Sequence, residues 1–129
     1  MKHYSLENFR LAESLKARDY LNLVVRLMKI IEVKEDKKQY LDLLLLADEQ
    51  ENMIDRYLDK GKMYVLDDNG IKCECIVTDE GNDVLEIKNI ATVPDYQGKG
   101  YAKSLIDFIV EKYREQYAIL QVGTGDSPL

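Results

Sequence analysis

The chain has 129 residues, 46 % of them apolar and 33 % charged, and its 18 basic against 24 acidic residues give a formal net charge of −6. That length fits one domain with a real core. The acidic balance argues against nucleic acid as a partner, because phosphate neutralisation needs clustered Lys and Arg. No apolar run approaches the ~20 residues that span a bilayer, and no signal-peptide pattern opens the chain, so no membrane partner and a cytoplasmic location are expected.

Residues 1–27 read as an N-terminal helical extension, with Leu6, Phe9, Leu15, Leu23, Val24 and Leu27 as apolar positions and Ser5 as an N-cap. His3, the sole histidine, lies in this segment and reads as incidental. The domain proper is expected over 28–129, with a first strand at Ile30–Val33. From Asp36 the pattern turns helical, and Tyr40, Leu43, Leu44 and Ala47 form its stripe. Asp48 is placed as the cap of a second helix, with Glu51 three residues on as its capping-box partner. Met53, Ile54, Tyr57 and Leu58 make that helix's apolar face.

Two strands follow, Met63–Leu66 and Ile71–Thr78. They are joined by Asp67-Asp68-Asn69-Gly70, and Asn-Gly between such runs is the strongest short hairpin signal. Cys73 and Cys75 are two apart in a strand, so they point the same way and cannot easily bridge each other. They read as buried reduced thiols, and two ligands do not make a zinc site, so no metal is expected. A turn over Asp79–Asp83 leads into a central strand, Val84–Val93.

That strand runs into Val93-Pro94-Asp95-Tyr96-Gln97-Gly98-Lys99-Gly100-Tyr101-Ala102. Beyond it Ala102, Leu105, Ile106, Ile109, Val110 and Tyr113 recur on one helical face, and Ala118–Val122 reads as a last strand. Strand, glycine loop, helix, strand is a crossover that sets two strands parallel. The fold class is therefore α/β with a mixed sheet, an antiparallel meander followed by a parallel βαβ unit. Gly98 and Gly100 permit φ > 0 and present no Cβ. The helix beginning there has unpaired N–H groups and its positive dipole end at the same point. A pyrophosphate could sit on those donors, or the glycines could serve only as a tight turn. The spacing is neither that of a P-loop nor that of the dinucleotide fingerprint.

Gln97-Gly98-Lys99-Gly100-Tyr101-Ala102 resembles the acyl-CoA loop of the GNAT superfamily of N-acyltransferases, which reads Gln/Arg-x-x-Gly-x-Gly/Ala. The similarity runs from about Lys29 to the end of the chain. It implies acetyl-CoA as co-substrate and direct transfer of its acetyl group to an amine of a small molecule or protein. No covalent intermediate is needed, so no Ser/His/Asp or Cys/His constellation is required. The resemblance places Gln97, Gly98, Lys99, Gly100, Tyr101 and Ala102 on the pyrophosphate, with Lys103 adding charge. It sets the backbone of Ala91, Thr92 and Val93 alongside the pantetheine arm, on a strand commonly bulged and splayed from the next. It assigns Glu86 as the general base, and a carboxylate on a half-buried strand suits that task. The alternative is an outward-facing Glu86 paired with Lys88 or Lys72. The two early helices would flank the acceptor cleft, where Asp48, Glu49 and Glu51 either meet an amine or serve as caps.

Relatives continue past the last strand with a helix, often bearing a tyrosine acid, and two further strands. This chain reaches Leu129 in what resembles the next loop, so it is expected to be incomplete at the C-terminus. Ile119, Leu120 and Val122 would then lie on an open edge that favours a homo-oligomer. Three readings follow: an N-acetyltransferase, a catalytically impaired acyl-CoA-binding module, and a partner-binding module whose glycine loop is only a turn.

Overall fold

The computed structural model describes residues 28–123. The N-terminal extension expected over 1–27, and 124–129, lie outside them. Strand β1 (Met28–Val33) leads through a 3-10 turn (Lys37–Tyr40) into α1 (Leu41–Ala47) and α2 (Glu51–Leu58). β2 (Lys62–Asp68), β3 (Ile71–Asp79) and β4 (Val84–Thr92) follow, then a 3-10 turn (Pro94–Tyr96), α3 (Tyr101–Tyr113) and β5 (Ile119–Val122). The sheet order is β1-β2-β3-β4-β5. Its first three pairings are antiparallel and the last is parallel, as the crossover requires. Asn69 and Gly70 both take positive φ, which is what the tight β2–β3 hairpin demands.

Each face of the sheet carries its own core. On one face Leu105, Ile109 and Tyr113 of α3 pack on Tyr64, Leu66, Cys73, Cys75, Val77, Leu85 and Ile87. On the other, Leu44, Ile54, Tyr57 and Leu58 of α1 and α2 pack on Val33, Met63, Val65 and Ile76. Both cysteines are buried and free, and burial pushes the Cys73 thiol up to about 11. Because helices cover both faces, β3 is buried at every position from Lys72 to Thr78. Glu74 is caught inside with 0 % exposure, and neither carboxylate oxygen has a partner among the described residues.

The detail that shapes the site is a bulge in β4. Ile76 faces Asn89 and Val77 faces Ile87, so Lys88 has no residue opposite. Leu85 and Ile87 join the α3 core. After the bulge the parity reverses, and Asn89 meets Leu44 and Tyr57 on the α1/α2 side. Strict alternation of burial along β4 therefore hides a change of face.

Candidate functional site

β5 pairs with β4 only from Val84 to Ile87, and the Gly123 N–H closes that ladder on the Ile87 carbonyl at 2.8 Å. Beyond Ile87 the outer edge of β4 has no strand beside it among the described residues. The Val93 N–H donates to the Lys72 carbonyl at 2.8 Å, which marks these two as a hydrogen-bonded antiparallel pair. Alternation then turns the backbone of Ala91 toward β3 and that of Ile90 and Thr92 outward, along the open edge. The Thr92 carbonyl takes a hydrogen bond from Gln97 Nε2 at 3.3 Å. This is a ready edge for an extended ligand to lie against.

The glycine loop sits at the end of that edge. Gly98 and Gly100 have φ of +78° and +87°, and a Cβ built on either would meet nothing within 4 Å. Gly100 is the N-cap of α3 and offers no side chain to the first turn. Before it, the Tyr96 and Gln97 N–H groups are engaged by Val93 and Pro94; after it, the Ser104 N–H is engaged by Gly100. Between these, the N–H groups of Gly98, Lys99, Gly100, Tyr101, Ala102 and Lys103 have no partner among the described residues. Six adjacent unpaired donors at the positive end of a helix dipole form an anion cradle.

Neighbouring side chains brace it. Lys72 Nζ lies 3.9 Å and Lys99 Nζ 5.3 Å from the centre of the Tyr96 ring. Tyr101 donates its hydroxyl to Asp68 at 2.6 Å, which ties the start of α3 to the β2–β3 hairpin. That bond to a carboxylate pushes the Tyr101 phenol up to about 12. Of the residues expected to hold the cofactor, Ala91, Thr92, Gln97, Gly98, Gly100, Tyr101, Ala102 and Lys103 line one cleft of about 340 Å³. Val93 and Lys99 flank it. The remaining lining comes from Ile90, Tyr96 and Leu46.

A second cleft of about 500 Å³ adjoins the first. Leu46, Ala47, Asp48, Glu49, Gln50 and Met53 form one wall, and Ile87, Lys88, Asn89, Ile90, Val122 and Gly123 the other. Asp48 does not cap α2 as expected. The N-cap is Gln50, without a side-chain cap; Asp48 Oδ1 accepts the Gln50 backbone N–H at 3.4 Å and Oδ2 accepts the Tyr57 hydroxyl at 3.2 Å. Tyr57 in turn accepts Asn89 Nδ2 at 3.0 Å, and the same nitrogen reaches the Leu44 carbonyl at 3.0 Å. Burial pushes the Tyr57 phenol up to about 12. This chain fixes the α1–α2 corner against β4.

Glu86 lines neither cleft. Its carboxylate is bound by Lys88 Nζ and Gln121 Nε2, each at 2.5 Å, and Lys88 also reaches Glu80 at 3.3 Å. A Cβ on Gly123 would come within 3.2 Å of Glu86 Oε2. Glu86 is thus paired with Lys88, as the alternative reading had it, and touches two residues of the second cleft's wall, Lys88 and Gly123. Sequence reasoning missed Leu46, Asn89 and Ile90 as cleft residues. Leu46 carried one signal, a leucine off the apolar stripe of its helix. Among the described residues no three His, Cys, Asp or Glu side chains gather as a metal site, and no helix is long and apolar enough to cross a membrane.

The profile of the acetyltransferase (GNAT) domain matches residues 59–127, just over half of the chain. The chain belongs to the GNAT acetyltransferase family. It is 32 % identical over 98 residues to the uncharacterized N-acetyltransferase YvbK of Bacillus subtilis (strain 168), a match covering 74 % of this chain and 63 % of that one. It therefore spans under two thirds of the length of that GNAT relative. Among solved structures, the IAA acetyltransferase from Bacillus cereus ATCC 14579 superposes with a TM-score of 0.69 at 34 % identity, covering 78 % of this chain and 67 % of that one. A GNAT acetyltransferase from Elizabethkingia anophelis with acetyl-CoA bound gives 0.70 at 31 % identity, with the same coverage. The Bacillus subtilis acetyltransferase in complex with CoA gives 0.68 at 30 %, covering 79 % and 68 %.

Proposed function

We propose that this GNAT chain binds acetyl-CoA and transfers the acetyl group directly to an amine. The observation that carries the reading is the run of unpaired N–H groups from Gly98 to Lys103, opening into a cleft that continues along the free edge of Ile90 and Thr92. The diphosphate would take the amides. Lys99 and Lys103, exposed at the same mouth, would add charge. The pantetheine arm would run up the β4 edge as an added strand. Its thioester would then reach the junction of the two clefts, with an outward backbone N–H of β4 to polarise the carbonyl.

The amine would enter through the second cleft, beside Asp48. It must lose a proton to attack, and we assign Glu86 as the group that receives it, through solvent in that cleft. Lys88 and Gln121 hold this carboxylate in place. Nitrogen attack forms the tetrahedral intermediate, and its collapse expels the CoA thiolate, which takes up a proton. Replacing Glu86 with Gln should leave acetyl-CoA affinity unchanged and slow transfer about 100-fold, in the range usual for loss of a general base. A rate equal to the parent's from pH 6 to 9 would remove Glu86 from the mechanism.

Titration calorimetry with acetyl-CoA, followed by thiol release over a panel of amines, tests the reading as a whole. Binding with amine-dependent thiol release is expected. Binding without release for any amine would reduce the chain to an acyl-CoA-binding module.

A further inference from the structure

The two clefts share only Leu46 and Ile90. Every other residue lining the cofactor cleft belongs to the stretch from Ile90 to Lys103. Leu46 alone reaches in from the opposite side, from the last turn of α1. Its neighbours Leu43 and Leu44 are buried, whereas Leu46 is 51 % exposed and belongs to neither core. Facing it is the β4 edge at Ile90, where the backbone N–H and C=O point outward.

We infer that Leu46 sets the length of the acyl group this protein accepts. This rests on the acyl-CoA reading above. A thioester passing from the first cleft to the second must place its acyl carbons at the shared boundary, between the Leu46 side chain and the Ile90 backbone. A leucine at that boundary would favour a short acyl group, since a longer chain would have to displace its side chain. Truncation to alanine removes three carbons at that point, enough for the two extra methylenes of a butyryl group. One methylene of mismatch in an apolar pocket is worth about 10-fold or more in discrimination. The site is also tolerant of change, because Leu46 is exposed and alanine suits a helix.

The test is calorimetric binding of CoA, acetyl-CoA, propionyl-CoA and butyryl-CoA to the full chain and to Leu46→Ala and Leu46→Met variants. The parent should bind acetyl-CoA at least as tightly as CoA and butyryl-CoA more weakly. Leu46→Ala should raise the butyryl-to-acetyl affinity ratio about 10-fold, with propionyl-CoA intermediate. Leu46→Met, which keeps the volume, should preserve the parent's order. A ratio unchanged in Leu46→Ala, while CoA itself still binds, would overturn the role of Leu46 alone. Failure of the parent to bind any of the four would overturn the acyl-CoA reading and this inference with it.

Discussion

Replacing Gly100 with Glu should abolish acetyl-CoA binding, lowering affinity more than 100-fold. Two effects act together. Gly100 has φ of +87°, and a residue with a Cβ is strained there by about 1–2 kcal/mol. That strain falls on the N-cap of α3, whose first-turn amides form the cradle. The larger effect is electrostatic. A Cβ at this position meets nothing within 4 Å, so the new side chain projects into open space at the cleft. Its carboxylate would occupy the anion's place and accept the very donors the diphosphate needs. Gly100→Ala separates the two, since it keeps the strain and omits the charge, and a loss nearer 10-fold is expected. Calorimetry on both variants, with circular dichroism to show intact folding, checks this. A Gly100→Glu protein that binds acetyl-CoA as the parent does would defeat the loop assignment.

Glu74→Gln should stabilise the protein at pH 8 and raise its Tm. Burial holds the Glu74 carboxyl well above the usual carboxylate range, and the backbone of Ala91 opposes that shift only in part. The sign follows from linkage. The folded state keeps a proton that the unfolded chain releases above about pH 4.3, so this group's contribution is complete in acid and declines as pH rises toward the folded value. Gln is close in shape to the protonated acid but does not titrate, so its advantage should vanish near pH 4. Nearby buried groups do not obscure the trend. Cys73 and Tyr57 are held up to about 11 and 12, and lose no proton in this window. Urea unfolding at pH 4, 6 and 8 measures it. A gain independent of pH, or destabilisation at pH 8, would contradict the account.

Glu74 also shows where the sequence stops being informative. In Ile71-Lys72-Cys73-Glu74-Cys75 the charged residues alternate with cysteines, which reads as a strand with one wet face. Only the packing of α1 and α2 over the second face buries Glu74, and that packing is not local. The order of strands, the Asn-Gly hairpin and the amphipathic α3 were legible because each depends on spacing within a few residues. The glycine loop was legible for the same reason, and its residues do gather in one cleft. The acceptor side was not. Asp48 looked like a cap because Glu51 stood three residues on, but its carboxylate is shared between the Gln50 N–H ahead of the helix and the Tyr57 hydroxyl. The resemblance implied a bulged strand but not where, and the structure puts the bulge at Lys88, with burial alternating through it unbroken. Yet that bulge turns Asn89 toward Tyr57 and the backbone of Ile90 toward the open edge. Leu46 stood off its helix's stripe, and the reason is visible only beside β4.

The most direct test of the central claim is amide chemical-shift mapping of this 129-residue chain titrated with CoA. The amides of Gly98, Lys99, Gly100, Tyr101, Ala102 and Lys103 should show the largest changes, with Ile90 and Thr92 next as the pantetheine arm pairs with β4. Saturable binding that leaves those six amides unmoved, or an absence of binding at millimolar CoA, would contradict it.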